Sequence, residues 1–348
     1  MALTNKEIAK RLHISESTLS FIINNRPGVS EKTRSRVIQE IHNMGYEHLF
    51  KKEAPVLSKS ICFVVYKRHG KILNQSPFFM LLMEQIDEKA RALGYNLLVR
   101  MLDGSDSIAS EIQTMNASDT SGMIIFATEM FDEDMEQFRQ ASIPIVSLDN
   151  DFTHLEVDSV VINNRVGTLK AVKHLVDLGH TDIGYLQCKT HINSFGERAT
   201  GYRNALNLYG LELSPRYRFS IGFTEEESYQ DFRKILADGA ELPTAFVSDT
   251  DTLAAGAMRA MLEHGVRVPE DVSVVGFDDR PLCQVIIPSL TSIYVPRFFG
   301  ARAVELLEAK ITATDRDAVD YRKLSEGVGL VPRNSTCPAA VRAGSNGR

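Results

Sequence analysis

Four cysteines in 348 residues, Cys62, Cys188, Cys283 and Cys337, stand far apart, and none forms a C-x-x-C pair. That spacing shows no disulfide or zinc signature, and three of the four lie in apolar runs, so buried reduced thiols are expected. Long apolar runs are also missing. Nothing approaches the ~18 residues of a membrane span, and no apolar h-region opens the chain, so the expected location is the cytoplasm. Catalytic signatures are missing as well. There is no G-x-G-x-x-G after a strand, no G-x-x-x-x-G-K-[ST], no G-x-S-x-G and no H-E-x-x-H. Gly327-Val328-Gly329, the one G-x-G, opens no helix, and the nine histidines lack metal-ligand spacing. Neither a metal nor a cofactor is expected. An enzyme would have to use a pair such as Asp251 and Asp278 as glycosidase carboxylates, and the expectation is that the protein is not an enzyme. No repeat of 20–50 residues and no low-complexity tract occurs.

Aspartate is missing from the first 60 residues, which carry ten Lys/Arg and six Glu, a balance of +4. The other 288 residues carry 29 Lys/Arg against 39 Asp/Glu, a balance of −10. A basic head on an acidic body puts the phosphate-seeking charge at one end. With 43% hydrophobic and 24% charged residues, the chain has ordinary globular composition and is long enough for two or three folded units.

What is present begins with three short helices. Thr4 with Glu7 forms a capping-box pattern, and Ile8, Ala9 and Leu12 share one helical face. His13-Ile14-Ser15 makes a tight turn. Ser15 caps a second helix with Leu19, Ile22 and Ile23 on its apolar side, and Pro27-Gly28 breaks the chain. Ser30 caps a third helix with Val37, Ile41 and Met44 facing inward, and Gly45 can terminate it. One small core can serve all three, leaving the polar face of the second helix, Glu16, Ser17, Ser20 and Asn24, free. That is the layout of a helix-turn-helix reader for a major groove.

From Ile61 onward, apolar strand-like runs alternate with amphipathic stretches. The strands are 61–66, 96–101, 123–127, 145–148, 183–187 and 272–277, and a helix over 78–93 ends at Gly94. Continuous apolar strands separated by helices imply parallel sheets covered on both faces. Glu129, Asp132, Glu133, Asp134 and Glu136 are expected to be the solvated start of a helix, where carboxylates suit the positive end of the dipole.

The run IAKRLHISESTLSFIINNRPGVSEKTRSRVIQEIHNMGY, residues 8–46, resembles the headpiece of the lactose-repressor (LacI/GalR-type) family of bacterial transcription regulators. Ile8-Ala9, Ser15, Thr18, Ser20, Asn24, Val29-Ser30, Thr33, Arg34 and Gly45-Tyr46 fall in register with it. The resemblance continues through Ser76-Pro77-Phe78-Phe79, His174-Leu-x4-Gly179-His180 and Gly196-Glu197-Arg198-x2-Gly201-Tyr202. Asp251-x2-Ala254-x-Gly256, 269–279, Pro288-x-Leu290-Thr291-Ser292-Ile293 and Val331-x-Arg333-x-Ser335 complete it. It implies an α/β body of two Rossmann-like subdomains of periplasmic-binding-protein type behind a small all-α helix-turn-helix headpiece. The expected division is a headpiece at 1–46, a linker at 47–60 and an effector-binding and dimerisation domain at 61–340. Within that domain the N-subdomain would hold about 61–161 plus 293–322, and the C-subdomain about 162–292 plus 323–340, with crossovers near Ile162, Thr291 and Tyr321–Glu326.

The resemblance implies a sequence-specific regulator that binds palindromic operator DNA as a homodimer. Thr4, Ser15, Glu16, Ser17, Ser20, Phe21, Asn24, Ser30 and Thr33 are the expected DNA contacts. The expected effector is a saccharide, held by Phe79, Asn150, Arg198, Phe223, Asp251 and Asp278. A nucleobase or nucleoside is the alternative on the same fold, and a sugar-binding protein without a DNA role is the alternative of another class. Three departures stand out. The segment after Gly45-Tyr46 lacks the family's Pro-Asn and its Ala-Arg-x-Leu hinge helix, leaving Leu49 or Phe50 as the candidate minor-groove wedge. The family's Asp-Arg after the fourth strand is here Asp149-Asn150, and its Asp-Asn pair is Asn163-Asn164. The Ala-, Gly- and Ser-rich tail after Arg333 has no heptads, so no tetramerising coiled coil is expected.

Overall fold

The structure is a computed structural model that describes residues 4–23, 28–44, 46, 49, 59–72, 78–296, 298–313 and 320–339. Asn24, Pro27, Gly45, Phe50, Ser76, Pro77, most of the linker and the side chain of Phe79 lie outside the described residues. The chain divides into two units, Met1–Leu57 and Ser58–Arg348.

The first unit holds α1 (Asn5–Arg11), α2 (Glu16–Ile23) and α3 (Glu31–Asn43). The Thr4 capping box forms as the spacing requires. Glu7 N–H donates to Thr4 Oγ1 at 3.4 Å, and Thr4 N–H donates back to Glu7 Oε2 at 2.7 Å. Ser15 accepts from Thr18 N–H at 3.0 Å and Ser30 from Thr33 N–H at 3.3 Å, so both later helices start on a serine cap. Ile8, Ala9, Leu12, Leu19, Ile22, Val37 and Ile41 form the core, with Ile23 and Met44 half-buried around it. Each large aliphatic there contributes ~1.5–3 kcal/mol. In so small a core no single one is dispensable.

The second unit is two six-stranded sheets. The first runs β11-β5-β4-β3-β1-β2 and the second β12-β10-β9-β8-β6-β7. The first sheet takes β1 (Lys59–Lys67), β2 (Tyr95–Asp103), β3 (Thr120–Phe126), β4 (Ile145–Leu148), β5 (Asp158–Ile162) and β11 (Lys323–Glu326). The second takes β6 (Ile183–Cys188), β7 (Arg218–Ile221), β8 (Ala245–Ser248), β9 (Ser273–Asp278), β10 (Thr291–Tyr294) and β12 (Gly329–Val331). Among the described residues every strand pairing is parallel except β10 with β12. The central strands are apolar on both faces because helices cover both. α4 (Phe78–Ala92), α5 (Ile108–Asn116), α6 (Asp132–Phe138) and α12 (Phe299–Ile311) belong to the first half. α7 (Asn164–Asp177), α8 (Asn193–Leu208), α9 (Glu225–Ala237), α10 (Asp251–Glu263) and α11 (Leu282–Val285) belong to the second. α7 and α8 pack so closely that a Cβ at Gly201 would stand 2.6 Å from the Arg165 carbonyl. Among the described residues, no helix is long and apolar enough to cross a membrane.

Two boundaries differ from expectation. Residues 323–326 were expected in the C-subdomain, but this strand pairs with β5 of the first sheet, Lys323 opposite Ser159. Lys323 Nζ donates to the carbonyls of Asp151 and Phe152 at 2.6 and 2.8 Å, and Arg322 N–H donates to Asp158 at 2.8 Å. The third crossover therefore falls at 327–328. The second follows Tyr294, because β10 stays in the second sheet through that residue. A polar four-residue edge strand carries too little hydrophobic pattern to announce its sheet.

The acidic stretch also departs from its expected role. Asp134 accepts from the Tyr66 hydroxyl at 3.1 Å, pairs with Arg68 and is buried. Glu129, 2% exposed, accepts from the backbone N–H groups of His69, Gly70 and Ile72 at 2.9–3.0 Å. These two carboxylates are internal ties that shape the loop after β1, and only their neighbours are solvated. Cys62, Cys188 and Cys283 are buried free thiols, and Cys337 is half-buried.

Candidate functional site

In both sheets the strand order reverses beside the first strand, between β1 and β3 and between β6 and β8, and ligands bind beyond the carboxyl ends of strands at such switch points. The loops that leave those ends meet across the two halves. Ile72, after β1, is buried in the apolar cluster of Ile192, Phe195 and Phe223 from the second half. Phe131, after β3, stacks on His191 with centroids 6.4 Å apart and planes 19° apart, and the Arg68 guanidinium lies 4.4 Å over the Phe131 ring. Asn193 Nδ2 donates to Asn150 Oδ1 at 3.0 Å.

Arg198, on α8, is the centre of the second half's contribution and is 5% exposed. Its Nε donates to Asn164 Oδ1 at 2.9 Å, one terminal nitrogen donates to the Asp249 carbonyl, and the other lies 3.2 Å from Asp278 Oδ1. Its flat face rests 3.8 Å over the Phe277 ring, with Phe195 at 5.6 Å. The guanidinium is thus filled by protein partners on its edges and one face. It was expected to present an open fork to the effector; instead it holds Asp278 in place.

Asp278 and Asp279 both have positive φ, +105° and +49°. A non-glycine residue holds such a backbone only when its surroundings fix it, and here they do. Asp279 N–H donates to Ser292 Oγ at 3.1 Å, and the Asp279 carboxylate takes a 2.6 Å hydrogen bond from Arg333. Ser335 ties the same end segment to β9 and β10 through the Val274 carbonyl and Thr291 N–H. The closing V-x-R-x-S motif therefore serves to rivet the Asp278 turn. Burial raises the Asp278 carboxyl, opposed by Arg198 and Arg280.

Asp251, expected as an effector acceptor, lies beneath the site. It is fully buried at the first position of α10, accepts Ser292 Oγ–H at 2.5 Å and accepts Arg280 N–H at 2.8 Å. Gly276 is needed opposite it, because a Cβ there would approach Asp251 Oδ1 to 2.2 Å. Burial, with Asp278 nearby, pushes the Asp251 carboxyl up to about 7. Asp249 is equally committed, to the Tyr185 hydroxyl at 2.5 Å and Cys188 N–H at 2.7 Å, and burial raises it to about 6. Asn150 is also inward: its amide donates to the Met130 carbonyl at 3.1 Å and its oxygen accepts from Phe152 N–H and Asn193. Phe223 is 6% exposed, 6.4 Å from Phe195, in the cluster that Ile72 enters.

Sequence reasoning missed Asp149 as a site residue. It follows β4 at φ +73° and takes a 2.6 Å hydrogen bond from Thr128 Oγ1. Burial raises its carboxyl to about 6, with Arg198 acting against the shift and Asp278 and Glu197 with it. The residue was visible in the Asp149-Asn150 departure, but its left-handed backbone is not carried by the sequence. Phe195, Phe277 and Asn164 were missed because their role is to seat Arg198.

On the head, α2 exposes Glu16, Ser17, Ser20 and Phe21 and buries Leu19 and Ile22. Ser15 Oγ lies 2.8 Å from Ser17 Oγ and 2.7 Å from Thr18 Oγ1, so hydroxyls line the start of that helix. Phe21, 37% exposed, has its ring 3.5 Å from where a Cβ on Gly28 would stand. Ser30 and Thr33 place two more hydroxyls 2.8 Å apart at the start of α3. Thr4 is less available than expected, because its N–H and hydroxyl already meet Glu7.

Residues 4–48 match the model described as bacterial regulatory proteins, lacI family, and residues 172–336 match a periplasmic binding protein-like domain. The ribose operon repressor of Haemophilus influenzae is 28% identical over 313 residues, covering 88% of this chain and 92% of that protein. The HTH-type transcriptional repressor PurR of Mannheimia succiniciproducens is 28% identical over 317 residues, covering 90% and 93%. The lac repressor dimer bound to operator and the anti-inducer ONPF superposes with a TM-score of 0.70 at 26% identity, covering 97% of this chain and all of that one. The chain thus carries a helix-turn-helix domain of the lacI family of bacterial regulatory proteins, followed by a periplasmic binding protein-like domain, the make-up of a DNA-binding transcriptional regulator with an effector-binding body.

Proposed function

We propose that the protein is a cytoplasmic, non-enzymatic repressor that binds a palindromic operator as a homodimer and releases or tightens on it when a saccharide enters the cleft of the body. The observation that carries the effector reading is the neighbourhood of aromatic rings and carboxylates: Phe195, packed near Phe223, lies beside the Arg198 guanidinium that pairs with Asp278. A sugar ring has C–H faces for the aromatic rings and hydroxyls for the carboxylates. The ribose operon repressor among the relatives favours this reading; the purine-repressor name of another favours a nucleobase in the same place. Arg198 and Asp278 form the polar floor, Phe223 the apolar wall, Asn150 the tie between halves and Asp251 the support underneath. Glu16, Ser17, Ser20 and Phe21 face base edges, while Ser15, Ser30 and Thr33 hold phosphates.

One short reading helix covers only a half-site, so two heads are needed on a palindrome. Exposed apolar surface supports the pairing. Leu98, Val99 and Met101 of edge strand β2 and Met80 of α4 are 41–59% exposed, and Val285 and Ile287 are 76% and 88% exposed. Thermal-shift screening of the full chain against sugars and nucleobases, followed by gel-shift titration on a selected operator, tests the whole reading. Stabilisation by nucleobases alone removes the saccharide, and failure to select any DNA site removes the regulator.

A further inference from the structure

The cleft contains an imbalance of charge. Around the buried guanidinium of Arg198 stand the carboxylates of Asp149, Asp249, Asp278 and Glu197, and the other guanidinium described at the site, Arg68 over Phe131, is paired with Asp134. Arg198 is spent on Asn164, the Asp249 carbonyl, Asp278 and the Phe277 ring. Arg280 donates to Thr252 Oγ1 at 2.8 Å, and Arg165 sits 3.5 Å from Glu197 while itself largely exposed. The position beside Asp149 that could have carried another cation is Asn150, whose amide is turned to the Met130 carbonyl. Asp149 itself has one side-chain hydrogen bond among the described residues, from the neutral hydroxyl of Thr128, and no ion pair.

We propose that this site selects its effector by charge: the ligand is an amine-bearing or uncharged polyhydroxylated ring read by Asp149 and Asp278, and phosphorylated or carboxylated forms of the same ring are refused. The inference rests on the effector reading above and narrows it. Bringing a phosphate or carboxylate into a water-poor cleft whose guanidinium is already filled adds like charge at short range, where screening is weak. An ammonium or a hydroxyl instead gives Asp149 the donor that Thr128 alone does not supply. The raised Asp149 carboxyl is the signature expected of such an uncompensated group.

The experiment has two arms on the full-length protein. In the first, ribose, glucose, galactose and adenosine are each titrated calorimetrically as the parent compound, the phosphate ester and the amino-substituted form. Whichever scaffold binds, the phosphate ester is expected to bind at least tenfold more weakly than the parent, and the amine at least as tightly. A phosphate ester that matches or exceeds its parent overturns the proposal. The second arm is read whether or not any scaffold binds. Asp149→Asn keeps an oxygen for Thr128 and removes the charge that faces Arg198, Asp278 and Glu197. It is expected to raise the melting temperature at pH 8 and to leave it unchanged at pH 4, where the wild-type carboxyl is protonated. An unchanged or lower melting temperature at pH 8 means that the charge is already compensated and overturns the proposal. Silence from every scaffold together with a stabilised Asp149→Asn counts against the sugar-or-nucleoside reading and leaves the charge selection supported.

Discussion

The Arg198 guanidinium lies flat on Phe277 at 3.8 Å, while its edge reaches Asp278, the very next residue. One dipeptide thus supplies both the seat and the counter-charge, so Arg198 and the turn after β9 form one piece. Removing Arg198 leaves Asn164, the Asp249 carbonyl and Asp278 without their donor in a buried place. Arg198→Ala is expected to cost ~3–5 kcal/mol of body stability, measured by urea unfolding, besides abolishing effector response. Arg198→Lys is expected to recover less than half, because an ammonium cannot bridge three divergent acceptors and stack.

Stability of the body should depend on pH in an unusual sense. Asp149, Asp249 and Asp251 all have carboxyls raised by burial, to about 6, 6 and 7. The folded state therefore binds more protons than the unfolded chain between the ordinary aspartate range and neutrality. By linkage these groups make the body most stable below about pH 4 and progressively less so as pH rises through 7. Removing the effect of one of them is the Asp149→Asn experiment. Burial lowers the His174 and His180 imidazoles, which act in the opposite sense over this range, so the expectation is comparative: between pH 5 and pH 7.5 the wild-type melting temperature falls more, or rises less, than that of Asp149→Asn, and equal slopes contradict it.

Among the described residues the headpiece core holds seven buried apolar side chains, with Leu19 1% exposed and Ile41 fully buried. Leu19→Ala or Ile41→Ala is expected to cost ~2–5 kcal/mol and to melt the head at physiological temperature. Operator binding should vanish while calorimetric effector binding to the body persists. Loss of both together would mean that the head is not an independent folding unit.

Base reading by Phe21 is tested by selection from random DNA. An exposed aromatic on the reading helix can meet a thymine methyl but cannot donate to guanine, so the wild-type half-site is expected to hold T or C at the contacted positions. Phe21→Arg is expected to move the preference toward G. Recovery of one identical half-site by both proteins removes residue 21 from the reading surface.

Dimerisation is expected through the apolar rim on β2 and the loop after α11. Val99→Asp with Ile287→Asp should convert the protein to a monomer at micromolar concentration in sedimentation and weaken operator binding at least tenfold. An unchanged sedimentation coefficient would place the interface elsewhere.

What could be read from sequence was whatever is local or strongly periodic. The serine caps, the three-helix core and the apolar central strands have mechanisms that operate within a few residues, and the structure carries them. β11 was misplaced because Lys323–Glu326 is polar, short and an edge. Its partner, β5, lies some 160 residues earlier, and no local pattern encodes that pairing. The candidate site was legible as residue types and not as directions. Arg198, Asp251 and Asn150 were expected to hold the effector, and all three spend their hydrogen bonds inward. Asp149 stood next to one of them and was passed over because its positive φ and its bond to Thr128 are not legible in the sequence.

The two sheets share three strands of connection, at 163, after Tyr294 and at 327–328. No single backbone cut can part the halves, and a nick in any one crossover leaves two tethers. For the same reason the second half is not a continuous stretch of chain. A chimera built to transplant its ligand preference must carry residues 163–294 together with 329–339. Leaving out the short second piece strands Arg333 and Ser335 in the wrong parent and frees the Asp278 turn that they hold.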